Sequence, residues 1–459
     1  MFPIKAGMIY SICTVLLFEF GVWNYPEINR TEFNIFMIFA HIAMIMGFFL
    51  GTRLDTSYAP QIKNADAQQI ISKVFNFLFV ITVLTFIPAF IIKSGMYDFS
   101  FGRFFDSIKN GLENAQAAYT QIHNNPGASG FWVYINYLLI LTGWARWAFT
   151  PLAIILWKRL SKLKRAFTLL YWLSIVTNYL AAGINFGIID LGIQLVSALL
   201  LKKILAEKEN DLKEVPYTLN LRTSGFTAYP IRPKPKKRTI RYLLIGILIF
   251  AFILVSFSNT MNSRIGESYD NAKIIAGNYV TIDEENLLWK ITPNNLKPLL
   301  ANLTSYVTHG YNALALGINL PFTSTYGFGA SWFLLDNMLE MFNIDLYPNT
   351  YYSKIYNTYG WNYKLSYSTA YIAVANDVSF VLLPFLLLIM MAVFGFAWKD
   401  FLTNHNPFAY LMMIMFFILI VYLPAQCYLF ALPDTLFAFW IVLLVWLFNR
   451  KKLDWSSAL

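Results

Sequence analysis

Long runs of apolar residues recur along the whole chain, and they limit its possible folds more than any other feature of the sequence. A run of roughly 20 such residues is long enough to cross the hydrocarbon core of a bilayer as a helix. Backbone groups inside lipid have no water to bond, so a helix is the form that such a run takes. About ten spanning helices are predicted, at residues 8–23, 33–50, 74–92, 131–157, 167–180, 184–201, 242–257, 378–398, 408–423 and 429–448.

The composition supports an all-α polytopic membrane protein. Hydrophobic residues make up 57% of the chain and charged residues 13%, which does not suit a single soluble domain. The two cysteines, Cys13 and Cys427, lie inside or at the edge of apolar runs, and the sequence has four histidines. Neither a disulfide framework nor a metal site is indicated, and we expect no cofactor.

The formal charge of +10 is concentrated in a few loops, where it predicts topology rather than nucleic-acid binding. Basic clusters follow the fourth, sixth and tenth runs, and such clusters face the cytoplasm. Both termini are therefore predicted inside, and the first run is interpreted as a retained anchor rather than a signal peptide. We predict about seven spans in 1–257, a large outer loop at 258–376, and about three spans with a basic tail in 377–459. A smaller outer loop at 94–130 and a basic cytoplasmic loop at 202–241 complete the first region.

The large outer loop contains apolar stretches that predict helices in the membrane interface or dipping back into the bilayer. It also contains "SYVTHGYNALALGINLPF" at 305–322, which is too short and too polar to span. At helical spacing one face of this segment carries polar and small residues, namely Tyr306, His309, Gly310 and Ala313. Apolar residues fall largely on another face, so we predict an amphipathic lid over an outward-opening cavity.

Two stretches of the outer loop resemble the long outer loop of the Wzy-type polysaccharide polymerases, also called O-antigen or oligosaccharide repeat unit polymerases. They read "SYVTHGYNALALGINLPFTSTYGFGAS" (305–331) and "YPNTYYSKIYNTYGWNYKLSYSTAYIAVANDVS" (347–379). "AAGINFGIID" (181–190) is similar to the short Gly-containing corner of that family. The number of spans, the internal termini and the one dominant outer loop match as well, so the resemblance covers most of the chain.

The resemblance implies a metal-independent glycosyltransferase of the lipid-linked-donor, GT-C-like class. Such a polymerase transfers a growing glycan from undecaprenyl diphosphate onto the non-reducing end of a new lipid-linked repeat unit. It works at the outer face of the bacterial cytoplasmic membrane and uses no nucleotide sugar. The implied partners are undecaprenyl-diphosphate-linked oligosaccharides, membrane lipids, and a chain-length regulator and flippase of the same pathway, but no nucleic acid.

Breaking a sugar–diphosphate bond releases an anionic group, and arginine binds phosphate oxygens with two parallel N–H donors. Our candidates for the diphosphate are Arg264, Arg146 and Arg103. Arg264 is the first choice because it follows the seventh run at headgroup depth. Arg146 lies inside the fourth run, where a charge is costly unless it is paired or faces a wet cavity. For Arg103, in the smaller outer loop, the alternative is a solvated side chain.

The acceptor hydroxyl needs a group that orients or deprotonates it, and histidine suits this task near neutral pH. The candidate catalytic residues are His309, in the large outer loop, and Asp377, at the start of the eighth run. An ordinary hydrogen bond is the alternative for His309. For Asp377 we favour the alternative of a cap at a helix N-terminus, combined with a pairing to Arg264 or Arg146.

Hydroxyl and amide side chains nearby are the candidate glycan contacts, namely Tyr306, Tyr311, Asn312 and Tyr352. Tyr352 begins a stripe of tyrosines that suits stacking on sugar rings but is also typical of an interfacial belt. Asn185 and Asp190 lie near the corner between the fifth and sixth runs. They either line a polar cavity or pack against and cap neighbouring helices.

Two alternatives to the polymerase stay open. A lipid-linked oligosaccharide flippase or other transporter would carry ionisable groups near the membrane midplane. It would also show paired inverted repeats, which we do not find in the sequence. An O-antigen-ligase-like transferase would share the arginine and histidine chemistry and differ only in its acceptor.

Overall fold

The computed structural model describes residues 2–26, 28–56, 64–94, 101–124, 130–213, 280–363, 366–450 and 455. The seventh predicted span, 242–257, and the candidate Arg264 lie outside these ranges. Within them the chain is built almost entirely of helices.

The helices before residue 214 are α1 Phe2–Phe20, α2 Arg30–Arg53, α3 Asn64–Ser94, α4 Phe101–Glu113, α5 Ala115–Asn124, α6 Phe131–Ile155, α7 Lys162–Ala181 and α8 Phe186–Lys213. Those after residue 279 are α9 Leu287–Ile291, α10 Lys297–Gly317, α11 Trp332–Phe342, α12 Tyr351–Tyr359, α13 Ala370–Asn404, α14 Pro407–Tyr422, α15 Tyr428–Ala431 and α16 Pro433–Asn449. Two short strands, β1 Trp23–Asn24 and β2 Thr281–Ile282, pair antiparallel with Trp23 opposite Ile282.

Among the described residues, five helical segments are long and apolar enough to cross a membrane by length and composition. They are Phe2–Phe20, Arg30–Arg53, Ala67–Ile92, Phe131–Ile155 and Ala370–Asn404. Two shorter apolar helices, α14 and α16, accompany them. The prediction of an all-α membrane protein is confirmed, while the number of ten spans stays a prediction.

α2 and α13 share the most extensive contact among the described helices. A Cβ atom added at Gly47 would lie 2.2 Å from the carbonyl oxygen of Leu388, and one at Gly51 would lie 1.9 Å from that of Ala392. Gly395 on α13 faces the carbonyl of Phe48 in the same way. The two backbones therefore touch, as in the small-residue contacts of membrane helices.

α13 begins earlier than the predicted eighth span and is broken near its start. Thr369 caps its N-terminus, and the Thr369 side chain accepts a hydrogen bond from the Ile372 amide. Ser379 has φ 67° and ψ 160°, a backbone region that is essentially limited to glycine, and it separates two helical halves. The favoured interpretation of Asp377 as an N-terminal cap is therefore wrong, because that role belongs to Thr369.

The predicted lid is a buried helix rather than a surface helix. α10 packs on α1, α2 and α13, and its residues from Thr308 to Gly317 are buried. Trp23 Nε1 donates to Thr304 Oγ1 at 3.0 Å, and the hydroxyls of Tyr25 and Thr308 are 2.6 Å apart. Two residues of the polar face that suggested contact with headgroups, Tyr306 and His309, instead contact Tyr367: the rings of Tyr306 and Tyr367 are 5.6 Å apart, and the Tyr367 amide donates to His309 Nε2 at 3.1 Å.

Candidate functional site

A cavity of about 330 Å³ lies among α3, α6, α7, α8 and the start of α16. Its size is in the range of small-molecule sites. The polar side chains that line it are Asn136, Arg146, Thr150, Ser174, Asn178, Asp190, Gln194, Asp434 and Thr435, and the large aromatic rings include those of Trp147, Tyr171, Tyr179 and Tyr428. One predicted site residue, Arg146, and one predicted cavity residue, Asp190, are thus brought together.

Arg146 projects from α6 and is 5% exposed. Its Nη2 atom donates to the Leu139 carbonyl at 2.8 Å and lies 3.7 Å from Asp434 Oδ2. Its Nη1 atom is buried and has no hydrogen-bond partner. A buried donor without an acceptor costs about 1–3 kcal/mol, so this N–H group is chemically available to a bound molecule. The acid beside Arg146 is Asp434 and not Asp377, which corrects the predicted pairing of Asp377 with Arg146, whereas its alternative partner Arg264 lies outside the described residues.

Asp434 was missed by the sequence reasoning. Pro433 begins α16, and an acid in the first turn is favoured by the helix dipole, so the local sequence indicates only a helix start. The Asp434 side chain is 32% exposed, which keeps its carboxylate in reach of a ligand.

The opposite side of the cavity is formed by α7 and α8. Asp190 is 8% exposed, and its Oδ2 atom accepts a hydrogen bond of 2.7 Å from Gln194 Nε2 one turn along α8. Asn178, near the end of α7, is 7% exposed and its Oδ1 atom is buried without a partner. The sequence analysis also missed Gln194 and Asn178. The signal that could have identified them is an amide side chain inside an apolar run. Asn185 does not line the cavity.

His309 lies elsewhere, fully buried on α10. Its Nδ1 atom bonds to the Ser305 carbonyl at 2.7 Å, and its Nε2 atom accepts from the Tyr367 amide at 3.1 Å. Since Nε2 accepts, the proton of the neutral ring is on Nδ1. Burial lowers the pKa of His309 to about 4. With both nitrogens occupied, the histidine joins α10 to the segment before α13.

Asp377 is likewise surrounded by protein donors. Its carboxylate accepts from the backbone amides of Gly327, Gly329 and Ala330 at 2.9, 2.9 and 3.1 Å, and from the Thr325 hydroxyl. It therefore holds the turn between α10 and α11 in place. This is a structural arrangement, and it lies apart from the residues that line the cavity.

The predicted glycan contacts lie in the same α10–α13 region. Tyr311 is fully buried with its hydroxyl 2.9 Å from Thr14 Oγ1, and Tyr352 is buried with its ring stacked 4.7 Å from that of Trp332. Asn312 is buried, whereas Tyr306 is half-buried with its ring against Tyr367. None of these four lines the cavity.

Arg103 lies on α4 with an exposed side chain, and it does not line the cavity. Of the three predicted diphosphate contacts, Arg146 is therefore the one found there, since Arg264 lies outside the described residues. In the described ranges no group of three or more His, Cys, Asp or Glu side chains is placed to hold a metal ion.

No protein-family model, curated protein or solved structure matches the chain. The resemblance to the Wzy-type polymerases thus stays a prediction from the sequence.

Proposed function

We propose that the chain is a glycosyltransferase that polymerises lipid-linked oligosaccharide repeat units, with the cavity as its active site. The observation that carries the proposal is Arg146, a buried guanidinium on the cavity wall with Nη1 unpartnered. Ionisable groups inside membrane helices are costly and typically mark a functional site. Here a cation and two carboxylates line one polar space.

Two of these three charged groups, Arg146 and Asp434, have a role in the transfer. The Arg146 guanidinium binds the donor diphosphate, whose negative charge grows as the sugar–diphosphate bond breaks. Asp434, 3.7 Å from Arg146 Nη2, accepts the proton of the acceptor hydroxyl. The acceptor oxygen then forms the new glycosidic bond to the anomeric carbon while undecaprenyl diphosphate leaves.

The position of the cavity also favours lipid-linked substrates. Asp434 lies in the first turn of α16, Asp190 lies near the start of α8, and Asn178 lies near the end of α7. In the predicted topology these are the outer ends of their helices. A substrate held by a prenyl chain in the outer leaflet would thus meet the cavity at the outer face of the cytoplasmic membrane.

A transporter of lipid-linked oligosaccharides is the second candidate. The observation that favours it is the charge among the described lining residues, where two carboxylates face one guanidinium. Paired acids of this kind inside a membrane protein are typical of proton or ion pathways.

The test uses purified protein in lipid vesicles with a synthetic undecaprenyl diphosphate repeat unit and no nucleotide sugar. We expect a ladder of longer products. Arg146→Lys should reduce ladder formation by about 100-fold, because lysine lacks the planar fork that binds phosphate. The matched control is Arg53→Lys, at the exposed end of α2, which should leave the ladder unchanged.

Two results would contradict the polymerase. Movement of the lipid-linked unit across the bilayer without new linkages would favour the transporter. A normal ladder from Arg146→Lys would remove the cavity from the reaction.

A further inference from the structure

We propose that the α7–α8 wall of the cavity is a subsite for the hydroxyl groups of a sugar ring, formed by Asn178, Asp190, Gln194 and the ring of Tyr179. The inference rests on the proposed function only in taking this sugar to be the acceptor end of a lipid-linked glycan. Binding of a sugar at this wall does not itself require the transfer reaction.

The first argument is the balance of donors and acceptors on this wall. Asn178 Oδ1 is a buried acceptor without a donor, and the Asp190 carboxylate is an acceptor by nature. A molecule that satisfies the Asn178 oxygen must bring a hydrogen-bond donor, and a donor that reaches the Asp190 carboxylate meets a charged acceptor. Gln194 Nε2 already donates to Asp190 Oδ2 at 2.7 Å, which fixes the carboxylate for a ligand. Hydroxyl groups both donate and accept, so they suit a wall that mixes carboxylate and amide groups.

The same wall disfavours phosphate groups and single metal cations as ligands. A phosphate placed beside Asp190 would meet a like charge in surroundings of low dielectric constant. A single metal cation would need several oxygen ligands at about 2.0–2.6 Å, yet Arg146 lines the same cavity and repels it. The volume of about 330 Å³ is also far larger than an ion requires. An uncharged polar ring meets none of these obstacles.

The aromatic ring of Tyr179 lines the same cavity as Asp190. A Cβ atom added at Gly187 would lie 1.9 Å from Tyr179 Cε2, so the missing side chain lets the ring rest on α8 one turn before Asp190. Sugar rings present C–H groups on their faces and hydroxyls at their edges. An aromatic ring next to a carboxylate offers a surface for the first and an acceptor for the second.

The test measures binding separately from catalysis. Full-length protein in lipid nanodiscs is titrated with the methyl glycosides of D-glucose, D-galactose, N-acetyl-D-glucosamine and L-rhamnose, followed by saturation-transfer NMR. We expect transfer to at least one glycoside. Asp190→Asn should weaken its Kd by about tenfold, because hydrogen bonds to a charged acceptor are the stronger ones. Asp106→Asn, on the exposed side of α4, is the matched control and should bind as the wild type does.

A second variant keeps the proposal testable if Asp190→Asn does not fold. Gly187→Ala adds a methyl group where the Tyr179 ring lies, so it should weaken binding of the same glycoside without changing any charge. The proposal fails if none of the four glycosides receives saturation, or if both variants bind like the wild type. It also fails if ²³Na relaxation detects a sodium site that Asp190→Asn abolishes while no glycoside binds.

The outcomes distinguish this subsite from the proposed function. Asp190-dependent sugar binding without a product ladder would keep the subsite and overturn the polymerase. A ladder whose formation does not respond to Asp190→Asn, with no sugar binding, would keep the polymerase and overturn the subsite.

Discussion

Two polar regions lie inside the same helix bundle, and they differ in how many of their polar groups have partners, although α10 too has one unpartnered buried atom, Asn302 Oδ1. On α10, the side chains of Thr304, Thr308, His309 and Tyr311 all hydrogen bond to other protein groups. In the cavity, Arg146 Nη1 and Asn178 Oδ1 have none. Partnered groups hold the bundle together, whereas unpartnered ones carry a penalty that a ligand removes. In the segment with the more suggestive sequence, these four side chains thus contribute to the packing of the bundle.

The largest expected effect is on α10. Tyr311→Ala empties a fully buried site, and we expect it to lower the free energy of unfolding by about 3–5 kcal/mol. Tyr311→Phe removes only the hydrogen bond to Thr14 and should cost about 1 kcal/mol. Both are measured by unfolding in mixed micelles of increasing SDS content. If Tyr311→Ala were as stable as the wild type but made no product ladder, α10 would have a role in the reaction rather than in stability.

The pH dependence of stability sharpens the comparison at His309. An unfolded histidine titrates near about 6.5, whereas burial lowers the pKa of His309 to about 4, so acid protonates the unfolded state first. The contribution of the neutral ring is complete above pH ~6.5 and is lost as the pH falls towards 4, by about 3 kcal/mol in all. His309→Gln should flatten the unfolding free energy over this pH range. An unchanged slope would show that another group titrates there.

A smaller effect is expected at the turn held by Asp377. Asp377→Asn replaces one acceptor oxygen by an N–H₂ group that faces backbone donors, so stability should fall by about 1–3 kcal/mol. Limited proteolysis should then cleave the turn between α10 and α11 faster. The exposed acid of the next helix provides the control, since Glu340→Gln should leave the cleavage rate unchanged. Equal rates in both variants would mean that Asp377 does not hold this turn.

The smallest change in stability is expected in the cavity. Asn178→Leu removes a carbonyl that has no donor to lose, so the free energy of unfolding should stay within about 1 kcal/mol of the wild type or rise. Thr308→Val, which leaves the Tyr25 hydroxyl without its partner, should be the more destabilising of the two. If Asn178→Leu were instead the more destabilising variant, the two regions would not differ in how much their polar groups stabilise the fold.

The positions of the helices could be predicted well because apolar length is a local property of the sequence. Every predicted run inside the described ranges overlaps a helix, from residues 8–23 in α1 to 429–448 in α16. The placement of α10 could not be predicted in the same way. A helix with polar residues on one face has the same pattern whether that face meets water or buried partners, and the partners Thr14, Trp23 and Tyr25 lie more than 270 residues away.

The candidate site was predicted only in part. Arg146 and Asp190 stand out because a charge inside an apolar run is costly and needs a reason. Asp434 could be interpreted as an ordinary helix start, and Asn178 and Gln194 carry no charge that draws notice. Their common cavity follows from the packing of separate helices, which no local pattern records.

The glycine contact between α2 and α13 has a mechanical consequence. Where carbonyl oxygens sit against glycine Cα atoms, sliding one helix by a residue would drive a side chain into the opposite backbone, so this pair resists shear. We expect α2 and α13 to behave as one rigid unit. We therefore expect any conformational change that admits a bulky ligand to occur in helices that line the cavity, such as α7 and α8, rather than between α2 and α13.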